Sequence, residues 1–415
     1  MKIIFKKALT KNRVSVAEYK QLMADVNKVL DKLDASLKKH KIKADIMLGG
    51  STAKGTILKG DFDCDVFVRF DPKYRDNELS DKLEQALKVF RSIDRVHGSR
   101  DYFQLLYNNI LYEFVPVIRI SYPREARNVT DISPLHVNWI RNKIARNPDL
   151  KNEILLAKLF CKAQNIYGAE SYISGFSGHV LDTIIVYYGS FHSLLSNAVS
   201  WQHYKVIDVE NYGGTDEMNQ SKISPLIVVD PIQKDRNAAA ALSLEKFELF
   251  RKRADEFLNS PNESFFKIRK LSDTELRSMS GENEFVLLKI KPLEGKADIV
   301  GSKLLKVFNH INKHLAINDF EVMSSDWDWN KKQNARMWFY IKKEKLLAMK
   351  IVEGPPIRAR VHVQRFKKAH KNNFMKNNRI FANVKRDFVK PDGLVKSLIS
   401  GAFVKERVRN VTYKK

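Results

Sequence analysis

Leu48-Gly49-Gly50-Ser51-Thr52-Ala53-Lys54-Gly55-Thr56, followed shortly by Lys59-Gly60-Asp61-Phe62-Asp63-Cys64-Asp65-Val66-Phe67-Val68, decides how this chain is read. A Gly-Gly-Ser turn lets backbone N–H groups and a hydroxyl come close to a triphosphate. Asp63 and Asp65 stand two apart at the start of a Val- and Phe-rich strand. Alternation along a strand puts both carboxylates on one face. Two such carboxylates can bridge a pair of hard divalent cations, for which Mg²⁺ is suited. Metals about 4 Å apart can activate an attacking hydroxyl and stabilise a leaving pyrophosphate. A third carboxylate is expected from a neighbouring strand, and Glu113 is the candidate, a lone acid in Leu111-Tyr112-Glu113-Phe114-Val115. A charge there is costly unless it is paired or bound to metal. Asp61 reads as a loop or capping residue.

Working outward, residues 15–41 carry apolar positions at three–four spacing, and Ser15 with Glu18 forms a capping-box pattern, so a helix is expected there. Asp45 to Leu48 reads as a short strand, residues 52–60 as a turn of helix or a loop, and Cys64 to Phe70 as a strand. Ser80 to Ile93 reads as helix, and Tyr102 to Ile120 as one or two strands. In 134–145, 152–165, 178–200 and 237–258 the apolar spacing is helical, and the Ala-rich run Asn237 to Leu244 favours helix. Strand signals return at Phe285-Val286-Leu287-Leu288 and Met337-Trp338-Phe339-Tyr340-Ile341. The expected fold class is therefore α+β and multidomain: a catalytic head over 1–130, a helical domain over 131–260, and a mixed α/β part over 261–415.

The composition narrows the partners. Lys and Arg outnumber Asp and Glu by 73 to 48, for a net charge of +25. Residues 331–415 hold 24 of the cations and 5 of the acids, a net of +19 in a fifth of the chain. Such a field attracts a polyanion, with nucleic acid the natural partner and an anionic membrane surface the second. No amphipathic helix with an aromatic face supports the membrane alternative, and no stretch approaches 18 consecutive apolar residues. The basic N-terminus lacks the apolar run and cleavage site of a signal peptide. Two cysteines, Cys64 and Cys161, exclude a disulfide scaffold and a cysteine-based zinc site. A cytoplasmic location is the expectation.

The glycine-serine turn with its carboxylates resembles the nucleotidyltransferase superfamily that includes DNA polymerase beta and the poly(A) polymerases. Further stretches are similar to the archaeal, class I CCA-adding enzymes. These are Ser133-Pro134-Leu135-His136, Lys158 nine residues before Tyr167-Gly168-Ala169-Glu170, Gly175-Phe176-Ser177-Gly178, and Asp230-Pro231 followed by Arg236-Asn237. Glu353-Gly354-Pro355-Pro356, His362-Val363 and Arg365-Phe366 fit the C-terminal part of that family. The resemblance covers most of residues 45–260 and returns at 337–390.

It implies a polymerase-beta-like head that adds C, C and A to the 3′ end of tRNA from CTP and ATP without a nucleic-acid template. Asp63, Asp65 and Glu113 would hold two Mg²⁺ ions, Glu113 standing where the family usually has Asp. Ser51 and Lys54 would contact the triphosphate, Lys54 standing where Arg is frequent. Ser133, where Thr is frequent, and His136 would approach the nucleotide. Lys158 and Tyr167 would bind phosphate and sugar, and Arg236 would help read the base. Lys158 also stands out on its own, as a cation in the core-patterned helix Leu155-Leu156-Ala157-Lys158-Leu159-Phe160. A phosphate partner explains it, and a lysine that snorkels to the surface is the alternative. The basic end would grip the acceptor stem and TΨC arm of tRNA through Arg358, Arg360, Arg365, Lys367, Lys368, Lys385 and Arg386. A homodimer is left open. Two other readings remain: a poly(A) polymerase or other terminal nucleotidyltransferase, and a non-catalytic RNA-binding protein, against which the paired aspartates argue.

Overall fold

The computed structural model describes residues 1–215 and 218–414. They fall into two units, Met1–Arg269 and Lys270–Lys415. Two helices open the first unit, α1 (Lys2–Asn12) and α2 (Val16–Lys39). Ser15 and Glu18 form the reciprocal cap at the start of α2, the Glu18 carboxylate accepting from Ser15 N at 2.8 Å. The expected apolar stripe, Leu22, Val26, Val29, Leu33 and Leu37, is buried.

Next come β1 (Ala44–Leu48), α3 (Gly50–Lys54), β2 (Asp63–Phe70), α4 (Leu79–Leu87), β3 (Asp94–Val96), β4 (Tyr102–Tyr107) and β5 (Ile110–Ile118). The sheet order is β1-β2-β5-β4-β3. β2 and β5 run parallel, and the other pairings are antiparallel. β4 turns into β5 through Asn108 and Asn109, at φ 50° and 60°. Asn tolerates this left-handed geometry, which matches the twist of a tight hairpin. Cys64, Val66, Val68 and Phe70 of β2 join Tyr112 and Phe114 of β5 in a core that also takes in α2 and α4. That packing leaves the alternate residues of both strands for the opposite face. The helix expected at 80–93 ends at Leu87, because the chain turns there to supply the edge strand β3.

Helices dominate the rest of this unit: α5 (Ser133–Arg146), α6 (Leu150–Ala163), α7 (Gly178–Tyr188), α8 (Phe191–Ala198) and α9 (Leu244–Asn259), with a small parallel pair β6 (Lys205–Ile207) and β7 (Leu226–Val228). α6 is the most buried of them. Leu155, Leu156, Leu159 and Phe160 pack against Phe191, Phe250 and Phe257. Two sequence expectations are corrected here. The helical stretch 178–200 is two helices, broken at Gly189 (φ 77°) and restarted by Ser190, which accepts from Ser193 N. The Ala-rich run after Asn237 is not helical. The buried Asn237 side chain accepts from Val228 N and Ala239 N and donates to Lys222 O, while Ala238 N bonds Val228 O. These bonds to the β7 segment outcompete the weak local preference of alanine for helix. Helix α9 starts only where Ser243 caps it.

The second unit holds α10 (Asp273–Ser278), β8 (Glu284–Pro292), α11 (Ala297–Ile317), β9 (Val322–Trp329), β10 (Ala335–Ile341), β11 (Met349–Pro356), α12 (Arg360–Ala369), β12 (Asn373–Lys376), β13 (Arg379–Lys385), α13 (Pro391–Ser400), α14 (Ala402–Lys405) and β14 (Val408–Lys414). The sheet β14-β8-β10-β9 buries Val286, Leu288, Met337 and Phe339 against Leu304, Val307 and Ile311 of α11. A second sheet, β11-β13-β12, carries α12. The chain is thus the mixed α and β architecture expected, with a sheet-based head, a helical middle and an α/β end. Among the described residues no helix is long and apolar enough to cross a membrane.

Candidate active site

The parallel register of β2 and β5 sets Asp65 directly beside Glu113. Their chain neighbours Cys64, Val66, Tyr112 and Phe114 are buried in the core. Alternation therefore turns Asp63, Asp65 and Glu113 together onto the other face. Helix α3 runs over that face. Gly49 N donates to Asp65 O at 2.8 Å, and Thr52 Oγ1 donates to Asp63 O at 3.2 Å. Gly50 has φ +53°, and a Cβ placed on it would meet Asp65 Oδ2 at 1.7 Å. The glycine is required twice, for its backbone and for its missing side chain. Gly50→Ala is expected to cost about 1–3 kcal/mol of stability in backbone strain. It should slow single-turnover nucleotide addition by roughly 10²-fold, the cost of an ångström-scale misplacement of a reacting group. Wild-type rates in this variant would show that the Asp65 carboxylate need not sit against α3.

The three acids crowd each other. Burial pushes the Asp65 carboxyl up, Lys54 offsets part of this, and Asp63 adds to it. Burial also pushes Glu113 up, against a 2.6 Å hydrogen bond donated by Gln104 Nε2, and both aspartates add to the rise. Crowded, partly desolvated carboxylates are what a divalent cation relieves, and an all-oxygen donor set fits Mg²⁺. Residues Asp63, Asp65 and Glu113 therefore fit the metal role by position and charge.

Cations converge on the same region from α3 and α6. Lys54 Nζ lies 2.6 Å from Asp182 Oδ2 of α7, both side chains being largely buried. Lys158 Nζ, buried in α6, donates to Thr56 O at 3.1 Å just beyond α3. Burial and the neighbouring Lys54 and Lys162 depress Lys158 to about 8, with Asp61 acting the other way. Tyr167 sits under both Lys158 and Lys162, whose Nζ atoms are 5.9 and 5.0 Å from its ring centre. The Gly175-Phe176-Ser177-Gly178 stretch holds this tyrosine, Gly168 N bonding Phe176 O at 2.8 Å and Phe176 N bonding Ile166 O at 2.8 Å. Asp61 forms an ion pair with Lys162 at 2.5 Å.

A second cluster gathers at the start of α5 and α7. His136 Nε2 is 2.8 Å from Asp230 Oδ1, and Arg236 NH1 is 2.6 Å from Asp230 Oδ2. Burial pushes His136 down, and His179 and Arg236 add to this against Asp230. Ser133 is partly buried at the first position of α5. Residues named from the sequence therefore assemble as two groups. Ser51, Lys54, Asp63, Asp65, Glu113, Lys158 and Tyr167 lie around α3 and the β2–β5 pair. His136 and Arg236 meet on Asp230. Sequence reasoning missed Gln104, His179 and Asp182, and it gave Asp230 no role. Asp182 had the same signal as Glu113, a lone acid in an apolar run. His179 had none, since a histidine beside a glycine turn is ordinary.

In the second unit, Arg358, Arg360, Arg365, Lys367 and Lys368 are exposed in or just before α12, and Lys385 is exposed on β13. Arg386 differs, being partly buried and paired with Asp319.

Residues 30–156 match the nucleotidyltransferase domain family, 152–267 the tRNA nucleotidyltransferase second domain, and 290–411 the C-terminal domain of CCA-adding enzymes. The CCA-adding enzyme of Nanoarchaeum equitans is 33% identical over 87% of this chain and 89% of its own length. This chain belongs to the CCA-adding enzyme family. The family's member in Methanocaldococcus jannaschii is 27% identical over 96% of this chain and 90% of that protein. Over 65% of this chain the fold is similar to that of the Cid1 poly(U) polymerase, in its structure with Mg and 3′-dATP bound. The TM-score is 0.53 at 14% identity, covering 65% of this chain and 98% of that one. As a CCA-adding enzyme family member the chain is a nucleotidyltransferase, a class that uses Mg²⁺ and nucleoside triphosphates.

Proposed function

We propose that this protein adds C, C and A in turn to the 3′ end of tRNA from CTP and ATP, releasing pyrophosphate. The observation that carries the proposal is the face shared by Asp63, Asp65 and Glu113 beneath the Gly-Gly-Ser helix start. Residues 1–130 carry the chemistry, 131–260 complete the nucleotide site, and 261–415 bind tRNA. The tRNA 3′-hydroxyl attacks the α-phosphate in line with the leaving pyrophosphate. Positioning and charge stabilisation supply most of the catalysis, as in other phosphoryl transfers. Asp63, Asp65 and Glu113 hold two Mg²⁺ ions, which when bound supply charge stabilisation and hydroxyl activation. Ser51, Lys54 and Lys158 bind phosphate oxygens, Tyr167 and His136 flank the nucleotide, and Arg236 reads the base.

Asp182 restrains Lys54 in this arrangement. It holds Lys54 at 2.6 Å while, among the described residues, its own buried Oδ1 has no hydrogen-bond partner. A lysine held this way is pre-positioned for an arriving phosphate. A cytoplasmic location fits two cysteines that are both free and buried.

The decisive assay supplies tRNA lacking its 3′ end with CTP and ATP, separately and together. CTP alone should add two residues, and ATP should be used only after them. Long runs of A from ATP alone would replace the reading with a poly(A) polymerase.

Lys158 gives a pH signature. It is charged below about 8 and neutral above. A bound phosphate favours the charged form, so above that pH the free enzyme must take up a proton to bind. Nucleotide affinity should fall by up to about tenfold per pH unit above this point. Lys158→Arg should flatten the profile, since arginine stays charged. A wild-type KM constant between pH 7 and 9.5 would remove Lys158 from the phosphate site.

A further inference from the structure

Asp230 is a fully buried carboxylate that gathers donors from three parts of the first unit. Its Oδ1 accepts from Ile232 N at 2.9 Å, Gln233 N at 3.2 Å and His136 Nε2 at 2.8 Å. Its Oδ2 accepts from Arg236 NH1 at 2.6 Å and lies 3.3 Å from His179 Nε2. Burial works against the anion, but the bonds from His136 and His179 outweigh it and hold the carboxyl far below the usual range. The main chain is tied as well, Asp230 N bonding Arg236 O at 3.0 Å. One carboxylate thus joins α5, α7 and the turn that carries Arg236. The two imidazoles lie 4.3 Å apart between ring centres.

The trio His136, His179 and Asp230 has ligand atoms within 4.8 Å of one another, a spacing that a transition metal could span. The carboxylate is already surrounded by donors, however, and the Arg236 guanidinium beside it repels a cation. The geometry therefore points elsewhere. Among the described residues Arg236 is held at one nitrogen only, and its side chain is 47% exposed. The turn that leads to it, Ile232 to Asp235, lines a cleft of about 470 Å³ shared with Tyr122 and Arg124.

Resting on the proposed base-reading role of Arg236, we propose that Asp230 is the positioning residue for nucleotide selection, with His179 as a second strut. Asp230 fixes one edge of the guanidinium so that the other edge meets the base in a single orientation. Base chemistry makes that orientation matter. Cytosine N3 and adenine N1 are acceptors beside an exocyclic amine. Uracil N3 and guanine N1 carry a proton there. An arginine offers donors only. Held in place, its outward N–H meets an acceptor in C and A and another donor in U and G. Set free, it can slide onto the uracil or guanine carbonyl oxygens and lose the distinction.

Asp230→Asn in the full chain tests this. The carboxamide keeps an acceptor for Ile232 N and Gln233 N but turns an NH₂ donor toward Arg236 and His179. The preference for CTP and ATP over UTP and GTP, as a ratio of kcat/KM values, should fall by roughly tenfold or more. Affinity for tRNA should not change. A loss shared equally by all four nucleotides, with the ratio preserved, would make Asp230 merely structural and overturn the proposal. If Asp230→Asn does not fold, His179→Leu removes one strut alone, and an unchanged ratio there overturns it too. Arg236→Ala separates the two claims. If it keeps full discrimination, the base-reading role itself fails. If it loses discrimination while Asp230→Asn keeps it, only the positioning role fails. Visible absorption bands of bound Co²⁺ that vanish in His179→Leu would make the cluster a metal site and overturn the proposal as well.

Discussion

Asp65→Ala is expected to lower the rate of nucleotide addition by roughly 10³-fold or more, with tRNA affinity unchanged. Asp65 stands between its neighbours in the carboxylate row, beside Glu113 across the strand pair and two residues from Asp63. It also lies against the start of α3, so it links the acids to the turn that would carry the phosphates. The same crowding makes a second outcome predictable. Burial and Asp63 push Asp65 up, and Asp65 in turn pushes Glu113 up. Removing it relieves a repulsion in the metal-free protein. The variant should therefore melt no lower than wild type in chelator, even though it is inactive, as expected where a site is built at the expense of stability. Measured together, extension rate and melting temperature separate a catalytic loss from an unfolded protein. Activity within about tenfold of wild type would refute the metal role, since a single lost charge-stabilising contact is usually worth more than that.

Replacing Arg358, Arg360, Arg365, Lys367 and Lys368 together by Ala should weaken tRNA binding by roughly 10²-fold or more at physiological salt. These side chains are exposed, and among the described residues none of them has an acidic partner. They form the dense part of a region whose net charge is +19 over residues 331–415. Duplex RNA is recognised mainly through phosphates, 2′-hydroxyls and shape, so cations without a base-reading motif suffice. Each residue that touches a phosphate should reduce the slope of log affinity against log salt by about 0.7–0.9. Alanine keeps α12 helical, so the fold should survive. Salt titration of binding is the measurement. An unchanged slope would move the RNA surface elsewhere. Arg386 belongs outside this set, because its pairing with Asp319 gives it a structural duty.

Much of the site was legible because its chemistry is local. Gly49, Gly50, Asp63 and Asp65 lie within 17 residues, and strand alternation is enough to put the aspartates on one face. Glu113 was legible as a charge that an apolar strand would not otherwise tolerate. The capping box of α2 was legible for the same local reason. The run after Asn237 was misread because alanine's preference for helix is weak and a buried carboxamide overrode it. Lys54 was assigned to phosphate, but its bond to Asp182 depends on α7 packing beside α3, which no local pattern encodes.

By itself, then, the sequence determined the reaction class, the strand that bears the aspartates and the basic end that meets a polyanion. Those follow from residue type, period and charge, which are properties of short windows. Only the tertiary structure decided that Asp65 pairs with Glu113 and that Asp182 restrains Lys54. It alone gathered His136, His179 and Arg236 on Asp230. Strand register sets Asp65 beside Glu113, and helix packing brings Lys54 to Asp182 across 128 positions. At such contacts, burial sets the strength of every charge.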